Sequence, residues 1–341
     1  MRASLVISID AMGGDHGPET VIPGTARFAA RRTDATFLLY GDEAVLRPLV
    51  AREPSLAQRT TIVHTDVAVA MDAKPSQALR KGRRVSSMWR AIEAVRDGDA
   101  HVAISAGNTG ALMAMAKFCL RTTEGVERPA IAAIWPTVDA ECIVLDVGAN
   151  VGATARQLYE FALMGAAMAR GLFGQHRPRV GLLNIGEEEV KGLDPVKEAN
   201  AMLRESDRAF EHVGFVEGDQ IGHGGADVIV TEGFAGNIAL KTAEGTARQI
   251  SAYLRAAMNR TVTARIGAFL AQDGFAHLKE KMDPRRLNGG IFLGLNGIVI
   301  KSHGGTDATG FASALELAYD MARHDVVKNI AGDMRAVAAR E

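Results

Sequence analysis

Six segments of the chain gather the residue types that hold anions and move protons. They are Asp10-Ala11-Met12-Gly13-Gly14-Asp15-His16-Gly17-Pro18, Ser105-Ala106-Gly107-Asn108-Thr109-Gly110, Asp146-Val147-Gly148-Ala149-Asn150, Asn184-Ile185-Gly186-Glu187-Glu188-Glu189, Thr231-Glu232-Gly233-Phe234-Ala235-Gly236-Asn237 and Lys301-Ser302-His303-Gly304-Gly305-Thr306-Asp307. Glycine lets a backbone approach a ligand closely, and amides at a helix start favour negative charge. Ser105 to Gly110 suits an anion best, with Ser, Asn and Thr donors ahead of a helix-like stretch. The same residues also make an ordinary N-cap with tight-turn glycines, and both readings stand. Lys191 follows the three glutamates and would supply a mobile positive charge. Those glutamates could bind magnesium, but an acidic helix start favoured by the helix dipole is the preferred reading. His16 and His303 sit in glycine loops as further donors.

Several well-marked chemistries have no support. No G-x-x-x-x-G-K-[ST] run occurs, which argues against a P-loop. No G-x-G-x-x-G opens a helix after the first strand; Gly222-His223-Gly224-Gly225-Ala226-Asp227 precedes a strand-like run, which disfavours a Rossmann cofactor. Neither a G-x-S-x-G elbow nor a Ser-His-Asp set can be assembled from spacing. Cys119 and Cys142 are too few for a zinc site or a disulfide scaffold, and read as reduced core thiols of a cytosolic protein. A net charge of -1 on 341 residues argues against wholesale nucleic-acid binding. The longest apolar runs are broken by Gly and Asn, short of the roughly 20 residues that span a bilayer. No metal and no cofactor is expected.

The elements that must position these residues follow from periodicity. Short β-rich runs at Leu5 to Ile9, Thr36 to Tyr40, Thr61 to His64, Val102 to Ile104, Ile143 to Leu145, Val180 to Leu183, Val228 to Val230 and Ile298 to Ile300 read as strands. Helix-compatible stretches lie at Thr20 to Arg31, Gln77 to Arg96, Thr109 to Leu120, Ala155 to Leu172, Asp194 to Ser206, Asn237 to Asn259 and Ala308 to Asn329. Alternation of the two implies an α/β fold, a largely parallel sheet with helices on both faces. Ligands in such folds bind outside the carboxyl ends of the strands. The six glycine loops follow those ends, so the expectation is one shared polar site at one edge.

In this order, the loops resemble the phosphate acyltransferases of bacterial phospholipid synthesis, the acyl-acyl carrier protein:phosphate acyltransferase (PlsX) family. The resemblance rests on Ile9 to Pro18, Ser105 to Met113, Arg128-Pro129-Ala130-Ile131, Leu145 to Val151, Leu183 to Gly192, Asp227 to Gly245 and Gly289 to Asp307. It implies a three-layer α/β/α fold, akin to phosphate acetyltransferases and the isocitrate/isopropylmalate dehydrogenases. It also implies a homodimer peripherally associated with the membrane, and transfer of a fatty acyl group from acyl carrier protein to inorganic phosphate. A membrane glycerol-3-phosphate acyltransferase would consume the acyl phosphate. Two departures occur. Gly152-Ala153 follows Val151 where the family usually has an aspartate after Asn150, which weakens a catalytic acid there. The stretch before the paired serines reads Lys81-Gly82-Arg83-Arg84-Val85-Ser86-Ser87-Met88, and keeps its basic character.

That reaction needs no covalent nucleophile, because phosphate is already a partly ionised oxygen nucleophile and a thiol of pKa near ~8.5 leaves without strong acid help. The expected phosphate donors are Ser105, Gly107, Asn108 and Thr109, and the catalytic set is Lys191, Asn237 and His16. Asp10, Asp146, Asn150, Lys301 and His303 form a second rank. Arg80, Lys81, Arg83, Arg84 and Arg90 would make a docking patch on a helix for the acidic carrier. Residues 1–341 are expected as a single catalytic domain, with 246–286 protruding as an amphipathic helical hairpin. That segment carries eight basic residues against three acidic, beside Ile250, Leu254, Met258, Val262, Ile266, Phe269 and Leu270, with Phe275, Leu278 and Met282 beyond. It suits an anionic lipid surface, with Val262, Ile266, Phe269 and Leu270 in contact, or else a core- or dimer-facing helix pair. The protein would then be cytoplasmic, bound peripherally to the inner face of the cell membrane. The alternatives are a coenzyme A-dependent phosphotransacylase, a decarboxylating dehydrogenase on a related fold, and a catalytically silent membrane scaffold for lipid enzymes.

Overall fold

The computed structural model describes residues 4–206, 209–281, 283, 285 and 288–338. The first elements are β1 (Leu5–Asp10), α1 (Pro18–Arg31), β2 (Ala35–Gly41), α2 (Glu43–Val50), β3 (Thr60–His64), α3 (Pro75–Gly82) and α4 (Ser87–Arg96). There follow β4 (Val102–Ser105), α5 (Thr109–Leu120), β5 (Ala130–Pro136), β6 (Glu141–Leu145), α6 (Ala155–Phe173), β7 (Arg179–Leu183) and α7 (Asp194–Arg204). The chain continues with β8 (Glu211–Val216), β9 (Val228–Val230), α8 (Gly233–Asn259), α9 (Val262–Leu270) and α10 (Gln272–Lys281). It closes with β10 (Gly290–Leu293), β11 (Ile298–Lys301), α11 (Ala308–Arg323) and α12 (Val326–Ala338).

The eleven strands of the described residues form one sheet in the order β3-β2-β1-β4-β11-β10-β5-β6-β9-β7-β8. Apolar side chains alternate between its two faces, as the period of a strand dictates. In β6, Ile143 and Leu145 face one core while Cys142 and Val144 face the other; in β4, Val102 and Ile104 oppose Ala103. Helices α1, α2, α6, α7, α11 and α12 cover the first face. Helices α3, α4, α5 and the start of α8 cover the second. The result is a three-layer α/β/α architecture.

Strand direction is where the structure departs most from the sequence reading. Strands β2, β1, β4 and β11 are mutually parallel. Strand β10 is antiparallel to both β11 and β5, and β5 is antiparallel to β6. Strands β6, β9, β7 and β8 are again mutually parallel, but run opposite to β1. The carboxyl ends of β1, β4 and β11 therefore lie at one edge of the sheet, and those of β6, β7 and β9 at the other. The six loops divide three and three instead of sharing one edge.

Local signals explain other differences. The stretch Gln77 to Arg96 is two helices: Arg84 turns with φ 66°, and the Ser86 hydroxyl caps α4 by accepting from Trp89 N. The C-terminal helix likewise breaks at Asp325, φ 50°, giving α11 and α12. Helix α8 starts at Gly233, ahead of the expected Asn237, because the Glu232 carboxylate accepts from Phe234 N and Ala235 N. Strands β5, β8 and β10 add to the eight expected. The stretch 246–286 runs through the later part of α8, then α9 and α10; α8 buries only Gly233 and Gly236, and α9 buries nothing. Met282 and Arg286 of that stretch lie outside the described residues.

Two helical glycines separate close packing from open space. A Cβ at Gly165 in α6 would stand 2.5 Å from Val228 Cγ1 and 2.9 Å from Leu145 Cδ2, whereas Gly245 in α8 has nothing within 4 Å. Gly165→Ala is expected to destabilise by about 1–2 kcal/mol, crowding outweighing the helix-propensity gain. Gly245→Ala should be neutral or stabilising by up to about 1 kcal/mol. Urea unfolding midpoints at constant m-value read both.

Candidate functional site

The first edge is built on the paired ends of β1 and β4, where Asp10 and Ser105 stand in register. Ser105 Oγ donates to Asp10 Oδ2 at 2.6 Å and accepts from Gly107 N at 3.0 Å. A Cβ on Gly13 would lie 2.7 Å from Asp10 Oδ2 and 2.8 Å from Gly107 N, so this crossing tolerates only glycine. Burial pushes the Asp10 pKa above the ordinary carboxylate value, opposed first by the Ser105 hydrogen bond. On the next strand, Lys301 pairs in register with Ser105. Its Nζ donates to Ala106 O at 3.2 Å and to Ser302 O. Burial lowers the Lys301 pKa to about 8, against the pull of Asp15 and Asp10.

The loop after β11 is fixed by Asn288. Its Nδ2 donates to Ser302 Oγ at 2.9 Å and Thr306 Oγ1 at 3.0 Å, and its Oδ1 accepts from His303 N at 2.9 Å. Asp15 N donates to Gly304 O at 2.9 Å, joining this loop to the one after β1. His303 Nδ1 accepts from Gly305 N at 3.2 Å, and its Nε2 lies 3.2 Å from Lys241 Nζ on α8. Partial desolvation and then Lys241 lower the His303 pKa. Lys241 also donates to Glu244 Oε2 at 2.8 Å. Asn237 precedes Lys241 by four residues and shares its side of the helix.

The expected phosphate residues converge here, but two side chains are already committed. Ser105 and Gly107 belong to the Asp10 crossing. Asn108 Oδ1 caps α5 by accepting from Ala111 N at 2.9 Å, and its Nδ2 donates to Met71 O at 2.6 Å. What the start of α5 offers a ligand is the Thr109 hydroxyl and the amides of Thr109 and Gly110, which have no intrahelical acceptor. His16 is exposed in the same edge's first loop.

The second edge is organised around Asp146. Its Oδ1 accepts from Ile131 N, Gly148 N and Ala149 N at 2.9–3.1 Å, and its Oδ2 accepts from Asn150 N and Nδ2, both at 2.8 Å. Burial raises its pKa, while the hydrogen bonds from Ala149, Asn150 and Ile131 pull it down. Asn150 Nδ2 also donates to Pro129 O at 2.9 Å. Asp146 and Asn150 thus fasten the β6 loop to the start of β5. Helix α8 rests on that loop: a Cβ on Gly236 would meet Asp146 O at 1.9 Å. Gly148 packs beside Asn237.

Lys191 pairs with Glu188 at 2.8 Å in the exposed loop after β7. That loop is five strands from β11, about 24 Å at the usual spacing, and on the opposite edge. The structure does not bring Lys191 to Ser105–Thr109. Glu187, Glu188 and Glu189 are also not a helix start, since α7 begins at Asp194. Glu187 accepts from Gln220 and Glu189 pairs with Arg204. No group of three or more His, Cys, Asp or Glu is placed to hold a metal among the described residues.

Arg80 and Lys81 are on α3, while Arg83 and Arg84 are in the turn that follows, so the basic patch is not one helix. All four are exposed, and the Arg83 guanidinium lies 5.6 Å over the Trp89 ring. Helix α3 packs on α5, which sets the patch beside the first edge. Sequence reasoning missed Lys241, Asn288 and Glu232. Lys241 had a signal in its four-residue spacing from Asn237; Asn288, remote from the loop it holds, had none.

Lys301 gives the site a stability signature. Its folded pKa of about 8 lies below the ordinary lysine value of 10.5, so between those limits the unfolded chain binds more protons. Stability is expected to rise with pH across that window, on the order of 1–3 kcal/mol more in the native protein than in Lys301→Met. Urea unfolding of both proteins at pH 7.5 and 10 checks it.

Comparison with known proteins places the chain. Residues 5–329 match the family model described as "Fatty acid synthesis protein". A phosphate acyltransferase of Azorhizobium caulinodans is 63% identical over 331 residues, covering 97% of this chain and 93% of the relative. One from a Chelativorans species is 64% identical over 318 residues, covering 93% and 91%. Among solved structures, a phosphotransacetylase from Streptococcus pyogenes matches with a TM-score of 0.63 at 18% identity, covering 94% of each chain, which shows the shared fold. The three-layer architecture and the near full-length identity lead to one assignment: the chain belongs to the fatty acid synthesis protein family of phosphate acyltransferases.

Proposed function

We propose that the protein transfers a fatty acyl group from acyl carrier protein to inorganic phosphate, giving acyl phosphate for phospholipid synthesis. The observation that carries this reading is the 63% identity to a phosphate acyltransferase along 97% of the chain. The geometry supports it. A phosphate oxygen adds to the thioester carbonyl, a C–O bond forms, and the tetrahedral intermediate expels the thiolate as the C–S bond breaks. Such a reaction asks for anchored donors, not a protein nucleophile. The first edge supplies the start of α5, the Lys301 ammonium and the His303–Lys241 pair. Asn237, one turn before Lys241, is assigned to the developing oxyanion. His16 remains a donor candidate in the first loop. In this reading Lys191, on the opposite edge, is not among the groups assigned to the phosphate.

The remaining assignments concern partners. Arg80, Lys81, Arg83 and Arg84 present a positive surface beside the first edge, suited to an acidic carrier protein. Val262, Ile266, Phe269 and Leu270 are 56–78% exposed on α9. No helix among the described residues is long and apolar enough to cross a membrane. We assign α9 to lipid contact at the inner face of the cell membrane, in a cytoplasmic homodimer whose product passes to a membrane glycerol-3-phosphate acyltransferase.

Purified protein with acyl carrier protein thioester should release thiol only when phosphate is present, with acyl phosphate trapped by hydroxylamine. Phosphate-independent release, or none, would refute the reading. A preference for acyl-coenzyme A would replace it with a phosphotransacylase. Flotation with anionic liposomes is expected for the native protein and should be lost in Val262→Asp plus Ile266→Asp; unchanged flotation would remove lipid contact from α9.

A further inference from the structure

We propose that Lys241 Nζ and His303 Nε2 form a two-point receptor for a phosphoryl oxyanion, built by α8 and the loop after β11. The inference rests on the proposed reaction and deepens it by locating one anion. Hydrogen-bond bookkeeping on the imidazole starts it. His303 Nδ1 accepts from Gly305 N at 3.2 Å, so a neutral ring carries its proton on Nε2. Nε2 stands 3.2 Å from Lys241 Nζ, an ammonium that has only protons to offer. Two donors are therefore aimed at the same region. An oxyanion seated beside them accepts from both, and turns a donor–donor confrontation into two charge-assisted bonds.

The receptor is held from both sides. Asn288 fixes His303 through its backbone amide and fixes its neighbours Ser302 and Thr306 through their hydroxyls. Lys241 stands two turns into α8, the helix anchored by Glu232 and packed closely at Gly236 on the Asp146 loop. Glu244 Oε2 accepts one Lys241 hydrogen bond at 2.8 Å and leaves the other ammonium N–H groups for a ligand. Lys301 adds positive charge from the strand end, and Glu244, Asp15 and Asp10 are the nearby carboxylates that oppose it. Both Lys241 and His303 are exposed, so an anion reaches them from solvent.

Phosphoryl oxygens come to this reaction from two sources: inorganic phosphate, and the phosphodiester of the thiol arm that carries the acyl group. Both offer the oxygens the pair would bind, and kinetics tell them apart. Lys241→Ala and His303→Ala should each raise the relevant Michaelis constant on the order of tenfold to a hundredfold, with Lys241→Arg retaining near-native values. If the constant for inorganic phosphate rises, with a phosphate-free N-acetylcysteamine thioester as with the carrier substrate, the receptor holds the acceptor phosphate. If instead the constant for the carrier thioester rises while the N-acetylcysteamine donor is unaffected, it holds the donor's phosphodiester. Unchanged constants for both substrates in both alanine variants overturn the proposal. Binding of inorganic phosphate, followed by 31P NMR without acyl donor, separates the two levels of inference. Phosphate affinity lost in Lys241→Ala, in a protein that makes no acyl phosphate from any donor, would keep the receptor and sink the proposed reaction.

Discussion

The antiparallel ladders that β10 forms with β11 and β5, and that β5 forms with β6, govern everything built around the sheet. They reverse strand direction midway across it. Because loops follow the carboxyl ends of strands, the reversal sends three glycine loops to one edge and three to the other. Helix α8 is what reconnects them. It begins on the Asp146 loop, where Gly236 admits a backbone approach that a side chain would block, and two turns later its Lys241 meets His303. About 1.5 Å of rise per residue gives those eight residues roughly 12 Å, close to the length of a four-residue strand.

The two edges use polar groups differently. At the second, Asp146 spends its carboxylate on five N–H donors, so it is a fastener whose chemistry is turned inward. At the first, Asp10 and Ser105 form a buried crossing of the same kind, the Lys301 ammonium is turned inward onto Ala106 O and Ser302 O, and only His303 and Lys241 stand exposed beside it. Low dielectric around the Lys301 ammonium strengthens its interaction with any anion at the loop, at the cost of part of its basicity. A site that stabilises charge without moving a covalent bond through the protein needs this combination of fixed loops and uncommitted donors.

The surface divides along the same lines. The basic turn after α3 flanks the first edge, while α9 has its apolar side chains uncovered. A near-neutral total charge therefore hides regions of distinct character, which permits separate contacts with an acidic protein and an apolar surface.

Much of this is legible in the sequence. Helix α5 ran where its periodicity put it, and the six loops were found because glycine beside short polar residues marks turns and anion sites. The family was recognisable from the same loops in order. Local capping was harder to read: Ser86 and Glu232 moved helix starts because each side chain satisfies amides that the pattern of apolar residues does not report. The sequence by itself determined most of the elements, their apolar pattern and the kind of chemistry in the loops, all properties of short windows. Only the tertiary structure decided which loops meet. Strand direction, the separation of Lys191 from Ser105, and the meetings of Asn288 and Lys241 with the loop at His303 depend on pairings between distant segments, and no local propensity encodes them.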